Sequence, residues 1–160
     1  MSLYVRQTAL TGHERSEVRD DNKNTRWVVQ HEKNPLLFCV NVFDPQGNKV
    51  ASIKQKLKFQ SEFEITVNGA LFATLHKKTT VMKPEYYLEG VDWGLDGDYY
   101  FQNFKALSRF GGVVMQQQMQ WYTWGNTYII DYSKPSEELY CLCIALAVDS
   151  ADANSYRFRH

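Results

Sequence analysis

From Leu3 to Tyr132 the chain sets short runs of aliphatic and aromatic residues between glycine, asparagine, aspartate and proline at brief intervals, the punctuation of a meander of strands. Helical periodicity is absent there. The pattern predicts strands at Leu3–Gln7, Glu17–Arg19, Thr25–His31, Leu36–Phe43, Lys49–Lys58, Glu62–Val67, Ala70–Lys78, Glu85–Val91, Trp93–Leu95, Asp98–Phe101, Phe104–Phe110, Gly112–Trp121 and Gly125–Tyr132. The clearest hairpin joins Phe63, Ile65 and Val67 to Leu71, Ala73 and Leu75 through Asn68-Gly69, which supplies the two left-handed residues of a type I′ turn. Asp44 to Asn48 reads as a second turn and Gly111-Gly112 as a third. After that third turn Val113, Met115, Met119 and Trp121 alternate with Gln116, Gln118 and Gln120.

The C-terminal segment breaks this pattern. Leu139 to Val148 is continuously apolar, and Pro135, Ser136, Glu137 and Glu138 precede it with the start signals and negative charge of a helix N-terminus. Its leucines and alanines, and the Asp149 to Ala153 stretch that follows, predict a helix of about four turns rather than a strand. A helix apolar on every side must be enclosed by protein or lipid. Roughly ten apolar residues are too few to cross a bilayer. Enclosure in the sheet remains, and a closed barrel of roughly eleven or twelve strands has room for an axial helix. Leu139, Leu142, Ile144, Leu146 and Val148 are its expected core-forming residues.

The 160 residues fit one domain, and 44% apolar content excludes a disordered chain. Eighteen basic residues balance eighteen acidic ones, so no global field draws the protein to nucleic acid or anionic lipid, and nucleic acid is not expected as a partner. The N-terminus lacks the charged start and apolar run of a secretory signal and no stretch approaches the ~20 apolar residues that span a bilayer, which points to a cytoplasmic protein, peripheral at the membrane where it meets lipid, without a transmembrane segment. Cys39, Cys141 and Cys143 show no disulfide or zinc spacing and read as small buried residues.

A family resemblance rests on an ordered succession of motifs. These are Val50 to Leu57, the Phe63 to Lys78 hairpin, Lys83-Pro84-Glu85-Tyr86, Glu89-Gly90 with Trp93 and Asp96 to Tyr99, and Trp124 to Tyr128 with Asp131, followed by the apolar helix. Together they resemble the LURP-one-related family, which shares the tubby C-terminal fold, from about Leu3 to Asp149. The resemblance implies a mainly β, tubby-like barrel of twelve antiparallel strands around a central C-terminal helix. Relatives by fold include the phosphoinositide-binding tubby proteins and the phospholipid scramblases, and plant members are linked to defence. Where family members usually carry a basic pair, this chain has Gln116 to Gln120 before Trp121. No tubby lipid-binding motif is visible, so none of those residues is carried over.

Among candidate chemistries a basic strand stands first. Lys54, Lys56 and Lys58 occupy alternate positions, with Ala51, Ile53, Leu57 and Phe59 on the core-facing parity. With Lys77, Lys78 and Lys83 they would form a patch for phosphate or anionic lipid head groups, against the plainer reading of a solvated face that guards the strand from other chains. Trp124, Tyr128 and Asp131 are expected at the rim of a pocket at the barrel mouth. The acidic segment Asp92 to Asp98 lacks the ligand pattern of a calcium loop and reads as turn chemistry. The scattered histidines predict no metal site, and no cofactor or nucleophile motif is present. The sequence therefore points to a non-enzymatic binding or scaffold module that recognises anionic membrane lipid. A small-molecule carrier or enzyme with a mouth pocket and a protein-interaction adaptor are the alternatives.

Overall fold

The computed structural model describes residues 1–6, 15–32, 37–57, 62–79, 83–99, 102–122 and 125–159. Twelve strands precede one long helix: β1 (Ser2–Arg6), β2 (Ser16–Arg19), β3 (Thr25–His31), β4 (Cys39–Phe43), β5 (Lys49–Gln55), β6 (Glu62–Val67), β7 (Ala70–Thr79), β8 (Pro84–Glu89), β9 (Trp93–Asp98), β10 (Asn103–Ser108), β11 (Val113–Tyr122), β12 (Gly125–Tyr132) and α1 (Glu138–Arg159). They form one antiparallel sheet in the order β8-β7-β6-β5-β4-β3-β2-β1-β12-β11-β10-β9. The first strand therefore lies between β2 and β12, with Leu3 opposite Ile130 and Val5 opposite Tyr128. The sheet curls into a nearly closed barrel, and α1 fills it.

Alternation decides which side chains reach the helix. On β5 and β6 the inward residues are Ala51, Ile53, Phe63, Ile65 and Val67, all buried, and Ile53 stands opposite Ile65. At the foot of this hairpin Asn68 and Gly69 take φ of 50° and 81°, the two positive values the turn demands. Every residue from Cys141 to Ala151 is buried, which explains why no polar face is needed over that stretch. Leu142 and Ile144 have no exposed surface, and each such side chain contributes roughly 1.5–3 kcal/mol on leaving water. The Glu138 carboxylate fixes the entry of the helix. It accepts hydrogen bonds from Arg26 Nε at 3.0 Å, from Trp27 Nε1 at 2.8 Å and from the Tyr132 hydroxyl.

Four expectations change. The helix runs 22 residues, longer than four turns, because the polar residues past Val148 find partners that keep the backbone helical. Ser150 Oγ donates back to the Leu146 carbonyl at 2.6 Å, and Asp149 and Asp152 bond to the sheet. Trp93–Leu95 and Asp98 belong to one strand, β9, in which Gly97 lets β10 pass close, since a Cβ there would come within 2.4 Å of the Asn103 carbonyl oxygen. Leu57 is not core: β5 ends at Gln55, whose buried side-chain oxygen accepts from Phe38 N at 3.2 Å, and Leu57 is 70% exposed. Val113 faces solvent because a register shift at Ala106/Leu107 brings Val114 inward instead.

Candidate functional site

The six lysines expected as one patch are divided by the pleat. Lys54 is exposed on the outer face of β5, but its neighbour across the ladder is Glu64. Lys56 Nζ lies 3.2 Å from Glu62 and 3.8 Å from Glu64, and its hydrogen bond to Glu62 holds the ammonium above its usual range. His76 extends the ladder, with Nδ1 3.1 Å from Glu62 and Nε2 3.5 Å from Glu89, and its ring stacks on Tyr87. Lys78 and Lys83 are exposed. Lys77 differs. It follows Ala73 and Leu75 on the inward parity of β7, and its ammonium sits 5.9 Å over the Tyr86 ring. Lys58 lies outside the described residues, as do Phe59 and Trp124.

Lys77 points towards a polar cluster inside the barrel where the odd-numbered strands end. Asp149 accepts from the Tyr128 hydroxyl at 3.1 Å. Asp152, one turn further along α1, accepts from the Tyr86 hydroxyl and from Gln102 Nε2. Gln117, 1% exposed, donates in turn to the Gln102 carbonyl at 3.2 Å. Burial pushes the Asp149 carboxyl up to about 7, opposed by its Tyr128 bond. Burial also raises Asp152, against bonds from Tyr86 and Gln102 and the charge of Lys77. Burial pushes the Tyr99 hydroxyl up to about 12. The cluster can hold a proton on a carboxyl near neutral pH. Tyr128, expected on a pocket rim, is thus an interior anchor for the helix. Asp131 occupies the opposite face of β12, exposed, where it accepts from Ser2 Oγ, so the two residues do not share a rim. Parity alone would have placed Gln117 inside, since it shares the phase of Met115 and Met119.

A third feature is the seam. Strands β8 and β9 follow one another in sequence, yet they are the two ends of the sheet and share no ladder. Among the described residues each carries one edge of backbone N–H and C=O groups without a neighbouring strand. Two aromatic contacts span the gap: Tyr86 meets Tyr99 edge-on at 4.7 Å, and Trp93 meets Phe72 of β7 at 5.7 Å. Phe72 in turn packs on Tyr140 of α1 at 4.6 Å. The inward residues of the two strands are only half-buried between these contacts, with Leu88, Trp93 and Leu95 at the margin of the core. On the outer lips stand Glu85, Tyr87, Glu89, Asp92, Asp96 and Asp98, all exposed. The acidic segment read as turn chemistry is therefore mostly strand.

Comparison with known proteins agrees with this architecture. An X-ray structure of a protein from Arabidopsis thaliana superposes with a TM-score of 0.62 at 14% identity, covering 96% of this chain and 90% of that one. The uncharacterized protein YxjI of Bacillus subtilis (strain 168) is 25% identical over 150 residues, which is 93% of this chain and 92% of the relative. Among the described residues no helix is long and apolar enough to cross a membrane. The profile described as LURP-one-related matches residues 1–149, so the chain belongs to the LURP-one-related family.

Proposed function

We propose that this protein is a non-enzymatic binding scaffold that engages a protein partner along the seam between β8 and β9. One observation carries the reading. In a barrel whose interior is occupied by its own helix, these two are the strands that, among the described residues, lack a neighbour on one edge, and Leu88, Trp93 and Leu95 are only partly buried there. Natural sheets usually cover or blunt such an edge, and an uncovered one beside apolar surface is a docking place. A photo-crosslinking residue placed at Tyr87 or Asp96 in the expressing cell should give discrete protein adducts, and the same residue at exposed Glu17 of β2, in the middle of the strand order, should not. Equal adducts at all three positions, or none at the seam, would remove the reading.

Recognition of anionic head groups is a second reading, favoured by the exposure of Lys54, Lys78 and Lys83 on neighbouring parts of one face. Each lysine near an anionic surface contributes about 1 kcal/mol, and the interleaved glutamates subtract from that sum. Co-sedimentation with phosphatidylserine vesicles should drop on Lys54→Glu plus Lys78→Glu if this face binds lipid. Unchanged co-sedimentation dismisses it.

A further inference from the structure

We infer that the seam accepts, by strand addition to the free edge of β9, an extended segment of a partner protein in which apolar and basic residues alternate. The inference rests on the seam reading above and names the occupant.

Three independent features define that occupant. The first is backbone access. β9 has two glycines, and only one has a local reason: a Cβ at Gly97 would collide with Asn103 and Phe104, whereas a Cβ at Gly94 meets nothing within 4 Å and its backbone does not adopt the left-handed conformation. A glycine with no turn, bulge or tight contact to serve leaves bare backbone for another chain to approach. An added strand would lie about 4.8 Å from β9 and bond to its outward N–H and C=O groups.

The second feature is the floor. Successive side chains of an added strand alternate in direction, so every other one would turn inward onto Leu88, Leu95 and Trp93 above Phe72 and Tyr140. Apolar residues suit those positions, because this surface is already the margin of the core.

The third is charge. Residues 84–98 carry Glu85, Glu89, Asp92, Asp96 and Asp98 and not one lysine, arginine or histidine. The cations that answer them stand one strand or one turn back. Lys78 faces Glu85 across the β7–β8 ladder, Lys105 faces Asp96 across β9–β10, His76 approaches Glu89 at 3.5 Å and Arg109 approaches Asp92 at 3.8 Å. The outer lips of the gap therefore carry the carboxylates nearest to it, and outward side chains of an incoming strand match them best when basic. A second copy of this chain would present the same acidic edge and be repelled.

Fluorescein-labelled, end-capped peptides of about eight residues test the idea, a length that covers one strand. Lysine alternates with valine in the first, glutamate replaces lysine in the second, and the third is the first with alternate backbone nitrogens methylated. The lysine peptide should bind by fluorescence anisotropy at physiological salt and slow amide exchange over residues 93–98. Affinity should fall about tenfold or more with the glutamate or methylated peptide, and equally in Glu89→Lys plus Asp96→Lys protein whose thermal melt matches the parent. Equal binding of the methylated peptide, or protection elsewhere, overturns strand addition. Protection of 93–98 by the glutamate peptide, or in a concentration-dependent dimer, overturns the basic occupant while leaving the seam a binding surface. If no peptide protects residues 84–98 and the seam crosslinks are also blank, both readings fall.

Discussion

Asp149 brings a carboxyl into the barrel just beyond the apolar stretch of α1, where it faces the Tyr128 hydroxyl, with Asp152 on the next turn of the helix. Its value of about 7 in the folded protein lies above the ordinary aspartate value. The folded state therefore keeps a proton that the unfolded chain releases. The Asp149 proton therefore contributes its stability in full below about pH 4, and that contribution declines as pH rises to about 7. Asp149→Asn keeps an acceptor for Tyr128 and should erase that decline. Urea titrations from about pH 4 to about pH 8 should show variant and parent converging in acid and the variant more stable above neutrality. Parallel curves at every pH would refute the assignment. The glycines of β9 give a second residue-scale contrast. Gly97→Ala forces a Cβ against backbone atoms of β10 and should cost about 1–3 kcal/mol, as overpacking does, whereas Gly94→Ala should leave the melt unchanged.

At the scale of elements, α1 is the one against which β5, β6, β7, β11 and β12 pack. Leu142→Ala should destabilise by about 2–5 kcal/mol, the usual range for truncating a leucine with no exposed surface. Leu142→Asp should leave no soluble folded protein, and a cooperative melt for that variant would contradict enclosure. The helix was legible from composition, since nothing but a cavity in the sheet suits Cys141 to Val148. The Asn68-Gly69 hairpin was legible from turn chemistry. Parity also worked wherever a strand stayed regular, and it misled at two irregular places. Leu57 keeps the phase of Ile53 but lies past the end of β5, and the register shift that skips Val114 of β11 turns Val113 outward. The lysines show a related limit: Lys77 and Lys78 are adjacent in sequence and so point to opposite faces, which a count of charges along the chain does not separate. Asp149 and Asp152 read as helix-continuing residues, and their burial follows only from how far the barrel wall extends along α1.

On the scale of the whole molecule, closure was expected and the gap between β8 and β9 was not, because strands adjacent in sequence are usually neighbours in the sheet. Whether two such strands pair depends on curvature summed over all twelve, which no local pattern records. Amides of β8 and β9 should accordingly exchange faster than those of β5, β6 or β12, whose ladders have partners on both sides, and uniform protection around the barrel would show the gap to be closed in solution. Another junction bears on how the molecule is made. Ser2 and Asp131, 129 residues apart, lie side by side where β1 meets β12. A ribosome delivers β1 long before β12 exists, so β1 must wait without its final neighbour while the ten strands between them are made. Such distant pairing makes folding slow, and it leaves the assembly of the barrel to the moments after the last strand and the helix have left the exit tunnel.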